Sequence, residues 1–286
     1  MRENSPFEKC AAPSSLAGSL VACSMLLLSA CGADDSGEVR LTTWGEEFIE
    51  EGIPAAEFAD DFEARFDEFL VVLGHVRARN QEHEFSVADT YLVDLTAPGP
   101  HELTTRTLPE GDWSEVEYRI VPIEAETILH PSADADARDR MEAGPYSITV
   151  KGEARRGDER YTFDWSFGGT TRYTNCVQVV GGRQEPGFRI GGGGRETVEL
   201  TIHGDHFFYD DLAGDAALRF EAIADADADG DGDVTLDELA AVSLVDLPAD
   251  RYGTGNFSGV DDLRAFVEAL VSNLGHFNGE GHCLPR

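Results

Sequence analysis

The stretch YTFDWSF, residues 161–167, alternates apolar and polar side chains. A period of two is typical of a β-strand with one buried face, because successive side chains point to opposite sides of a sheet. The same period recurs in EVEYRIV, YSITVKG and TVELTIHG, at residues 115–121, 146–152 and 197–204. The pattern therefore predicts half-buried antiparallel strands across this part of the chain.

The run FLVVLGHV, residues 69–76, is mostly apolar and indicates a strand that is covered on both faces. Turn-forming sequences, such as APGP at 97–100 and GGGG at 191–194, separate the segments. Short strands at this spacing predict a mainly β domain, residues 39–204, built as an antiparallel β-sandwich of the immunoglobulin or transthyretin type. The acidic segment 133–144 is predicted to be a loop.

After residue 204 the apolar period becomes helical, which predicts a small α-helical region over residues 205–286. Its strongest helix prediction is SGVDDLRAFVEALVSNLG, residues 258–275. Ser258 and Asp261 fit a capping box at the start of this helix, and Gly275 fits the glycine that ends one. Shorter helices are predicted in DAALRFEAIADA and LDELAAVSLV.

The acidic segment ADADADGDGDVTLDEL, residues 224–239, fits one register of a calcium loop. Such a loop needs oxygen ligands at positions 1, 3, 5 and 12, glycine at 6 and an aliphatic residue at 8. Counting from Asp227 puts Gly232 at position 6 and Val234 at position 8, whereas counting from Asp225 puts Leu236 at position 12. The candidate ligands are Asp227, Asp229, Asp231, the carbonyl of Asp233, Thr235 through a water, and Glu238.

This segment resembles the EF-hand family over the loop 227–238 and its flanking helices. The resemblance implies a bound Ca²⁺ ion with a bidentate glutamate at the last position. EF-hands usually occur in pairs, but counting from Asp134 puts Arg138 at position 5 and Pro145 at position 12. The sequence thus predicts a lone, structural calcium site, with a solvated acidic linker as the alternative.

An apolar segment near the start, SLAGSLVACSMLLLSACG, ends in small residues and is typical of a secretory signal. Its end, LSAC at residues 28–31, resembles the bacterial lipobox. The resemblance implies that residues 1–30 are a signal peptide, that Cys31 is acylated and that residues 31–38 are a tether. Because Gly32 rather than aspartate follows, it also implies an outer-membrane location. An ordinary secretory signal is the alternative.

Two cysteines, Cys176 and Cys283, remain after this processing. A pair of cysteines in an oxidising compartment predicts a disulfide. Two free thiols or two metal ligands are the competing interpretation.

Four histidines form two local groups near predicted element ends: His203 with His206, and His276 with His282. Neutral imidazoles are good ligands for zinc and copper, and a disulfide at Cys283 would hold the second group against the β domain. The sequence therefore suggests a second, transition-metal site made by these four side chains. Solvated surface histidines are the alternative.

Residues 60–205 are also similar to the methanobactin-associated periplasmic protein family, in the order of FDEFLVVLGHVRA, YLVDL, LPEGDWSEVEYRI, YSITVKGEA and YTFDWSFGG. The resemblance implies a secreted β-sandwich from a family that is linked to copper. The family's Tyr-Tyr-Ile-Ser-Asn stretch is replaced here by FLVVLGHV. The resemblance therefore implies the architecture and no copper ligands.

The chain has 55 acidic and 22 basic residues, for a net charge of −33, which argues against nucleic acid or an anionic lipid surface as a partner. The predicted function is a calcium-binding, extracytoplasmic lipoprotein that is a non-enzymatic binding or structural module. Its membrane contact would be the lipid anchor, and a protein partner is left unidentified. The alternative is a metal-dependent periplasmic hydrolase using the four histidines, although the sequence has no G-x-S-x-G or H-E-x-x-H motif.

Overall fold

The structure is a computed structural model that describes residues 35–212, 216–248 and 250–286. These residues belong to one compact unit, Ala33–Arg286. The strands are β1 (Ser36–Trp44), β2 (Glu63–Arg79), β3 (Glu84–Asp94), β4 (His101–Pro109), β5 (Gly111–Trp113), β6 (Glu115–Ile120), β7 (Ile128–Leu129), β8 (Tyr146–Arg156), β9 (Glu159–Gly168), β10 (Thr171–Val180), β11 (Arg183–Pro186), β12 (Phe188–Ile190), β13 (Arg195–Ile202), β14 (Asp233–Val234), β15 (Gly275–Phe277) and β16 (Gly281–Pro285).

The helices are short. The α-helices are α1 (Glu46–Glu50), α2 (Ala135–Glu142), α3 (Glu221–Ala224), α4 (Leu236–Ala241) and α5 (Leu263–Val271), and 3₁₀-helices span Gly204–Phe208 and Leu244–Asp246. The prediction of a mainly β chain is therefore confirmed.

Within the described ranges, fourteen strands form one curled, mixed sheet with the shape of a half-barrel. The main path runs β14-β9-β8-β2-β6-β10-β16-β15-β13-β1-β4, with β3, β7 and β11 attached beside it. Three pairs are parallel, namely β1 with β13, β3 with β7, and β9 with β14. An antiparallel sandwich of the immunoglobulin type is not confirmed. Side-chain alternation defines the faces of a strand, but it does not define the strand's neighbours or their direction.

The quoted strand segment has the predicted faces, because Phe163, Trp165 and Phe167 are buried in the main core. The prediction of a strand covered on both sides is also confirmed. On β2, Val71 belongs to the main core, whereas Val72 belongs to a second, smaller cluster on the opposite face. A continuous apolar run is therefore explained by two apolar layers.

The second cluster is covered by α2, so the prediction that 133–144 is a loop is wrong over the length of this helix. The side chain of Asp134 accepts a hydrogen bond from the backbone N of Ala137 at 2.9 Å and caps the helix. Ala137 and Met141 are buried against the sheet. The helix was missed because the segment is mostly acidic and only these two apolar residues, one helical turn apart, mark its buried face.

Helix α5 lies inside the predicted range 258–275 but is shorter at both ends. Asp262 caps it by accepting a hydrogen bond from the backbone of its first turn, so the predicted capping box of Ser258 and Asp261 is wrong. Gly275 does not end the helix, since it is the first residue of β15. Capping depends on which residue takes the extended conformation before the first turn, and several acidic residues compete for that position here.

The predicted α-helical region, 205–286, also supplies three strands to the large sheet. Its helices are short, and the buried apolar side chains of α5 belong to the same main core as those of the sheet. Phe207 and Phe208, from the 3₁₀-helix after β13, are both 1% exposed and belong to the main core. This packing fixes the segment that leads into the candidate metal centre.

Candidate metal centres

The four predicted histidines lie on neighbouring elements at one side of the sheet. His203 directly follows β13, His206 lies in the adjoining 3₁₀-helix, His276 is in β15 and His282 is in β16. Strands β13 and β15 are antiparallel neighbours, and the backbone N of His203 donates to the carbonyl of Leu274 at 2.9 Å. Strand pairing therefore brings together two segments that are far apart in sequence.

Three of these residues, His203, His206 and His276, form a group that we call the histidine triad. Each offers one ring nitrogen, and these nitrogens all lie within 4.8 Å of one another. The rings of His203 and His276 stack with centroids 4.0 Å apart, and the ring of His206 is 5.0 Å from that of His276. All three residues are buried, at 8% or 9% exposure. Modest movements of these rings would bring the three nitrogens to zinc-binding distance, about 2.0–2.1 Å.

The ring nitrogens of the triad have few hydrogen-bond partners. Among the described residues, none is found for Nε2 of His203 or Nδ1 of His276. Nδ1 of His206 is 2.9 Å from the carbonyl of Asn273, which can only accept, so this nitrogen carries the proton and Nε2 has the free lone pair. Unpartnered buried nitrogens are unfavourable unless a proton donor or a metal ion fills the space between them.

Tight backbone packing holds His276 in place. A Cβ atom on the preceding residue, Gly275, would lie 2.4 Å from both Oη of Tyr118 and Cζ of Tyr173, so only glycine fits there. The same tyrosine Tyr118 donates a hydrogen bond to the carbonyl of His276 at 2.9 Å. The stacked pair of tyrosines, Tyr118 and Tyr173, therefore fixes the position of the His276 backbone.

Carboxylates surround the triad. Oε2 of Glu46, in α1, lies 3.7 Å from Nε2 of His203, and Oδ1 of Asp205 lies 3.9 Å from Nδ1 of the same ring. The hydroxyl of Tyr209 donates to Oδ2 of Asp205 at 3.0 Å. This negative surrounding favours a cation at the triad.

Burial favours the neutral form of two of the imidazoles, those of His206 and His276. Desolvation, followed by the neighbouring rings of His203, His206 and His282, lowers the pKa of His276 to about 2. Desolvation also lowers the pKa of His206, although the charge of Asp205 opposes the shift. Neutral imidazole is the form that binds a metal ion, so these two side chains remain ready to bind one well below neutral pH.

His282 lies beside the triad rather than within it. It pairs with His276 across β15 and β16, and their ring centroids are 5.0 Å apart, but His282 is exposed. The next residue, Cys283, forms a disulfide with Cys176. The predicted disulfide is therefore confirmed, and it ties the strand next to the triad onto β10.

A cavity of about 450 Å³ opens beside the triad. Its lining includes Glu46, Tyr209, Glu280 and His282 together with the triad itself. A metal ion at the triad would thus be reachable from this cavity.

The predicted calcium-binding segment, residues 227–238, which we call the calcium loop after that prediction, holds a second group of candidate ligands. Carboxylate oxygens of Asp227, Asp229 and Asp231 lie within 4.8 Å of one another. The two oxygens of Asp227 accept hydrogen bonds from the backbone of Gly230 and Gly232, at 2.9 and 3.0 Å. Gly232 has φ of +82°, the left-handed conformation that the sharp turn at position 6 requires.

The last predicted ligand, Glu238, reaches back into the loop from the start of α4. Its Oε1 accepts from the backbone N of Ala228 at 3.1 Å, and its Oε2 accepts from the backbone N of Thr235 at 2.9 Å. Thr235 in turn caps α4 by accepting from the backbone N of Glu238. Hydrogen bonds from Thr235 lower the pKa of the Glu238 carboxyl, which keeps it ionised and suited to a cation.

The calcium loop is braced by the sheet. Val234, at position 8 of the loop, is fully buried and pairs with Phe163 of β9 as part of the short parallel strand β14. Nε1 of Trp165 donates to the carbonyl of Val234 at 2.8 Å, and the hydroxyl of Thr162 donates to Oδ1 of Asp233 at 2.9 Å. Strand β9 thus occupies the place that a second calcium loop takes in a paired EF-hand.

Sequence reasoning missed three residues around the triad, namely Glu46, Asn273 and Tyr209. Glu46 is one of 55 acidic residues and lies in a segment that the sequence motifs did not mark. Only its backbone conformation, with φ of +56°, distinguishes it from its neighbours, and the sequence does not reveal that.

Comparisons with protein-family models, with curated proteins and with solved structures give no match for this chain.

Proposed function

We propose that this chain is an extracytoplasmic, lipid-anchored metal-binding protein that holds a transition-metal ion, zinc or copper, at the histidine triad and a calcium ion in the loop 227–238. In this proposal it is a binding or structural module rather than an enzyme. Its membrane contact is a lipid on Cys31, and its location is the outer membrane. A protein partner that recognises the metal-bound form is not identified.

The observation that carries the proposal is the convergence of three buried imidazoles, two of which have a ring nitrogen without a hydrogen-bond partner among the described residues. Nitrogen ligands of this kind suit Zn²⁺ and Cu²⁺. The only sulfur in the cavity lining, at Cys283, is in a disulfide and is not a thiolate ligand.

Calcium binding is supported by the single register in which the sequence meets every position of the loop, and by the clustering of Asp227, Asp229 and Asp231. A lone EF-hand needs a substitute for its usual partner, and the pairing of Val234 with β9 supplies one. A brace of this kind suits a structural calcium site of the weak, extracellular class, with Kd of roughly 10⁻⁴–10⁻³ M.

The location rests on the sequence. Cys31 and the rest of the signal segment lie outside the described residues. No helix in the described ranges is long and apolar enough to cross a membrane. A lipid-modified cysteine in the N-terminal peptide of the native protein, detected by mass spectrometry, would support the anchor, and an unmodified N-terminus would refute it.

The likeness of residues 60–205 to the methanobactin-associated periplasmic proteins, with their sandwich of two sheets, also stays a proposal. Its support is the order of strand segments in the sequence. A structure in which the curled sheet divides into two packed antiparallel layers would support the shared sandwich architecture.

A hydrolase remains the second candidate function, because the triad borders a cavity of about 450 Å³. An enzyme of this kind needs three protein ligands and an open position for water on the metal ion. The cavity would give a substrate access to the metal ion.

The test is metal analysis of the natively purified protein, followed by zinc titration of the apoprotein by calorimetry. We expect one zinc or copper ion per chain, and we expect His276→Gln to abolish its binding while His83→Gln, on an exposed turn, leaves it unchanged. Calcium should bind in both variants. Absence of any zinc or copper binding to the apoprotein would refute the transition-metal site.

A further inference from the structure

The histidine triad leaves a tetrahedral metal ion one ligand short. Zinc in structural sites almost always has four protein ligands, whereas in catalytic sites it has three and a water molecule. The side chains next to the triad that could supply the fourth ligand are Glu46, Asp205, Glu280 and His282. Which of them does so decides whether the site is closed or open.

Three of the four are poorly suited. Asp205 accepts a hydrogen bond from Tyr209 at one oxygen, and its other oxygen faces Nδ1 of His203, on the side of the ring away from the unpartnered Nε2. His282 and Glu280 are both exposed, and neither belongs to the group of converging ligand atoms. Asp205 therefore lies on the far side of the His203 ring, and His282 and Glu280 lie at the exposed rim of the cavity.

Glu46 has the geometry of a ligand. Its Oε2 is 3.7 Å from Nε2 of His203, which is the nitrogen without a partner. This distance is too long for a hydrogen bond. Two ligands that share a tetrahedral ion at bonds of about 2.1 Å lie about 3.4 Å apart, so the observed gap is close to that of a shared ion.

The backbone supports the same assignment. Glu46 has φ of +56°, a left-handed conformation that is uncommon for a residue other than glycine. Such conformations persist where the surroundings impose them, and they cluster at ligand sites. Here the turn at the start of α1 directs the carboxylate to the cavity, which includes Glu46 in its lining, while the next residue, Glu47, is exposed.

We propose that Glu46 is the fourth ligand of the histidine triad, so that the ion is held by His203, His206, His276 and one carboxylate oxygen. This inference rests on the transition-metal site proposed above. Three imidazoles and one carboxylate form a closed set of four ligands for a divalent ion such as Zn²⁺. The carboxylate gives this ligand set one negative charge. A closed site holds the metal as a structural or stored ion and leaves no position for a catalytic water.

The test uses Co²⁺ as a spectroscopic probe and Zn²⁺ for affinity, on the full chain and on the variants Glu46→Gln and Glu47→Gln. We expect the wild-type protein to give the strong visible absorption of four-coordinate Co²⁺ and to show no change on adding azide. Glu46→Gln should bind Zn²⁺ about 10-fold or more weakly, in the range seen when groups around a metal site are lost, and should gain an azide-dependent band because a position has opened. Glu47→Gln should match the wild type in both measurements.

The outcomes separate the two proposals. If Glu46→Gln binds zinc as tightly as the wild type and gives the same Co²⁺ spectrum, the role of Glu46 is overturned and the triad is left intact. An azide-dependent band in the wild-type protein would also overturn the closed site and would favour the hydrolase. Failure of the wild-type protein to bind either ion would overturn the triad itself. The azide measurement needs no variant, so it decides the question even if Glu46→Gln does not fold.

Discussion

The imidazole rings of His203 and His276 stack with their centroids 4.0 Å apart, in the interior of the protein. Each ring has a nitrogen without a hydrogen-bond partner in the described part of the chain. Two stacked polar rings with unpaired nitrogens are unfavourable in a core, where a buried polar group without a partner costs about 1–3 kcal/mol. The arrangement is explained if a metal ion completes it.

The first prediction follows from this pair. His276→Leu should raise the free energy of unfolding of the metal-free protein by about 1 kcal/mol, because an apolar side chain replaces an unsatisfied polar one. The same substitution should abolish the stabilisation by zinc. Denaturant unfolding with a chelator and with zinc measures both effects. His282→Leu, on the exposed neighbour, should change the apoprotein by less than about 0.5 kcal/mol and keep zinc stabilisation. If it abolished that stabilisation, the four-histidine site of the sequence prediction would be right instead.

The pH dependence of the metal-free protein gives the second prediction. The pKa of His276 is lowered to about 2 in the folded state, whereas an ordinary histidine has a pKa of 6.5. Below pH 6.5 the unfolded chain therefore takes up a proton that the folded chain does not, and stability falls as the pH drops from about 6.5 towards 2. The loss is up to about 1.4 kcal/mol per pH unit. His276→Gln should show a shallower slope between pH 4 and pH 6.5, and parallel slopes for the two proteins would contradict the shift.

Sequence reasoning found what is local. The faces of β9 and the buried run of β2 both depend on spacing within one segment, and that spacing predicted them correctly. It also found three histidines of one site, because each stands next to the end of an element. The order of the strands in the sheet could not be predicted from the sequence. A parallel partner, such as β13 for β1, depends on contacts between segments that are distant in sequence.

Glu46, the proposed fourth ligand, was missed for the same reason. Glu46 reaches the triad only because the sheet places α1 beside the 3₁₀-helix that follows β13, and nothing in its own segment indicates this. The pairing of the calcium loop with β9 was also not predicted. Val234 was predicted as the aliphatic residue of the loop, but its pairing with Phe163 depends on tertiary structure.

The third prediction concerns calcium. Binding should stabilise the chain by about 2.7 kcal/mol at a free calcium concentration 100 times the Kd. Because Nε1 of Trp165 donates to the carbonyl of Val234, ordering of the loop should also change tryptophan fluorescence. Asp227→Ala and Glu238→Gln should weaken both responses. Asp225→Asn removes an acid just outside the loop and should leave them unchanged. Identical melting curves of the wild type with calcium and with chelator would exclude a structural calcium ion.

The last prediction concerns the disulfide between Cys176 and Cys283, which spans a sequence separation of 107 residues. Replacing both cysteines with serine should lower the free energy of unfolding by about 2–4 kcal/mol, because the unfolded chain regains the freedom that the cross-link removes.

The bond also ties β16 to β10, and β16 carries His282 and pairs with β15, which carries His276. We therefore expect the double serine variant to bind zinc more weakly as well, even under conditions where it is fully folded. Denaturant unfolding and zinc calorimetry on the same preparations separate the two effects, with the wild-type protein before and after reduction as the comparison. A variant with lower stability and unchanged zinc affinity would show that the disulfide stabilises the fold without positioning the triad.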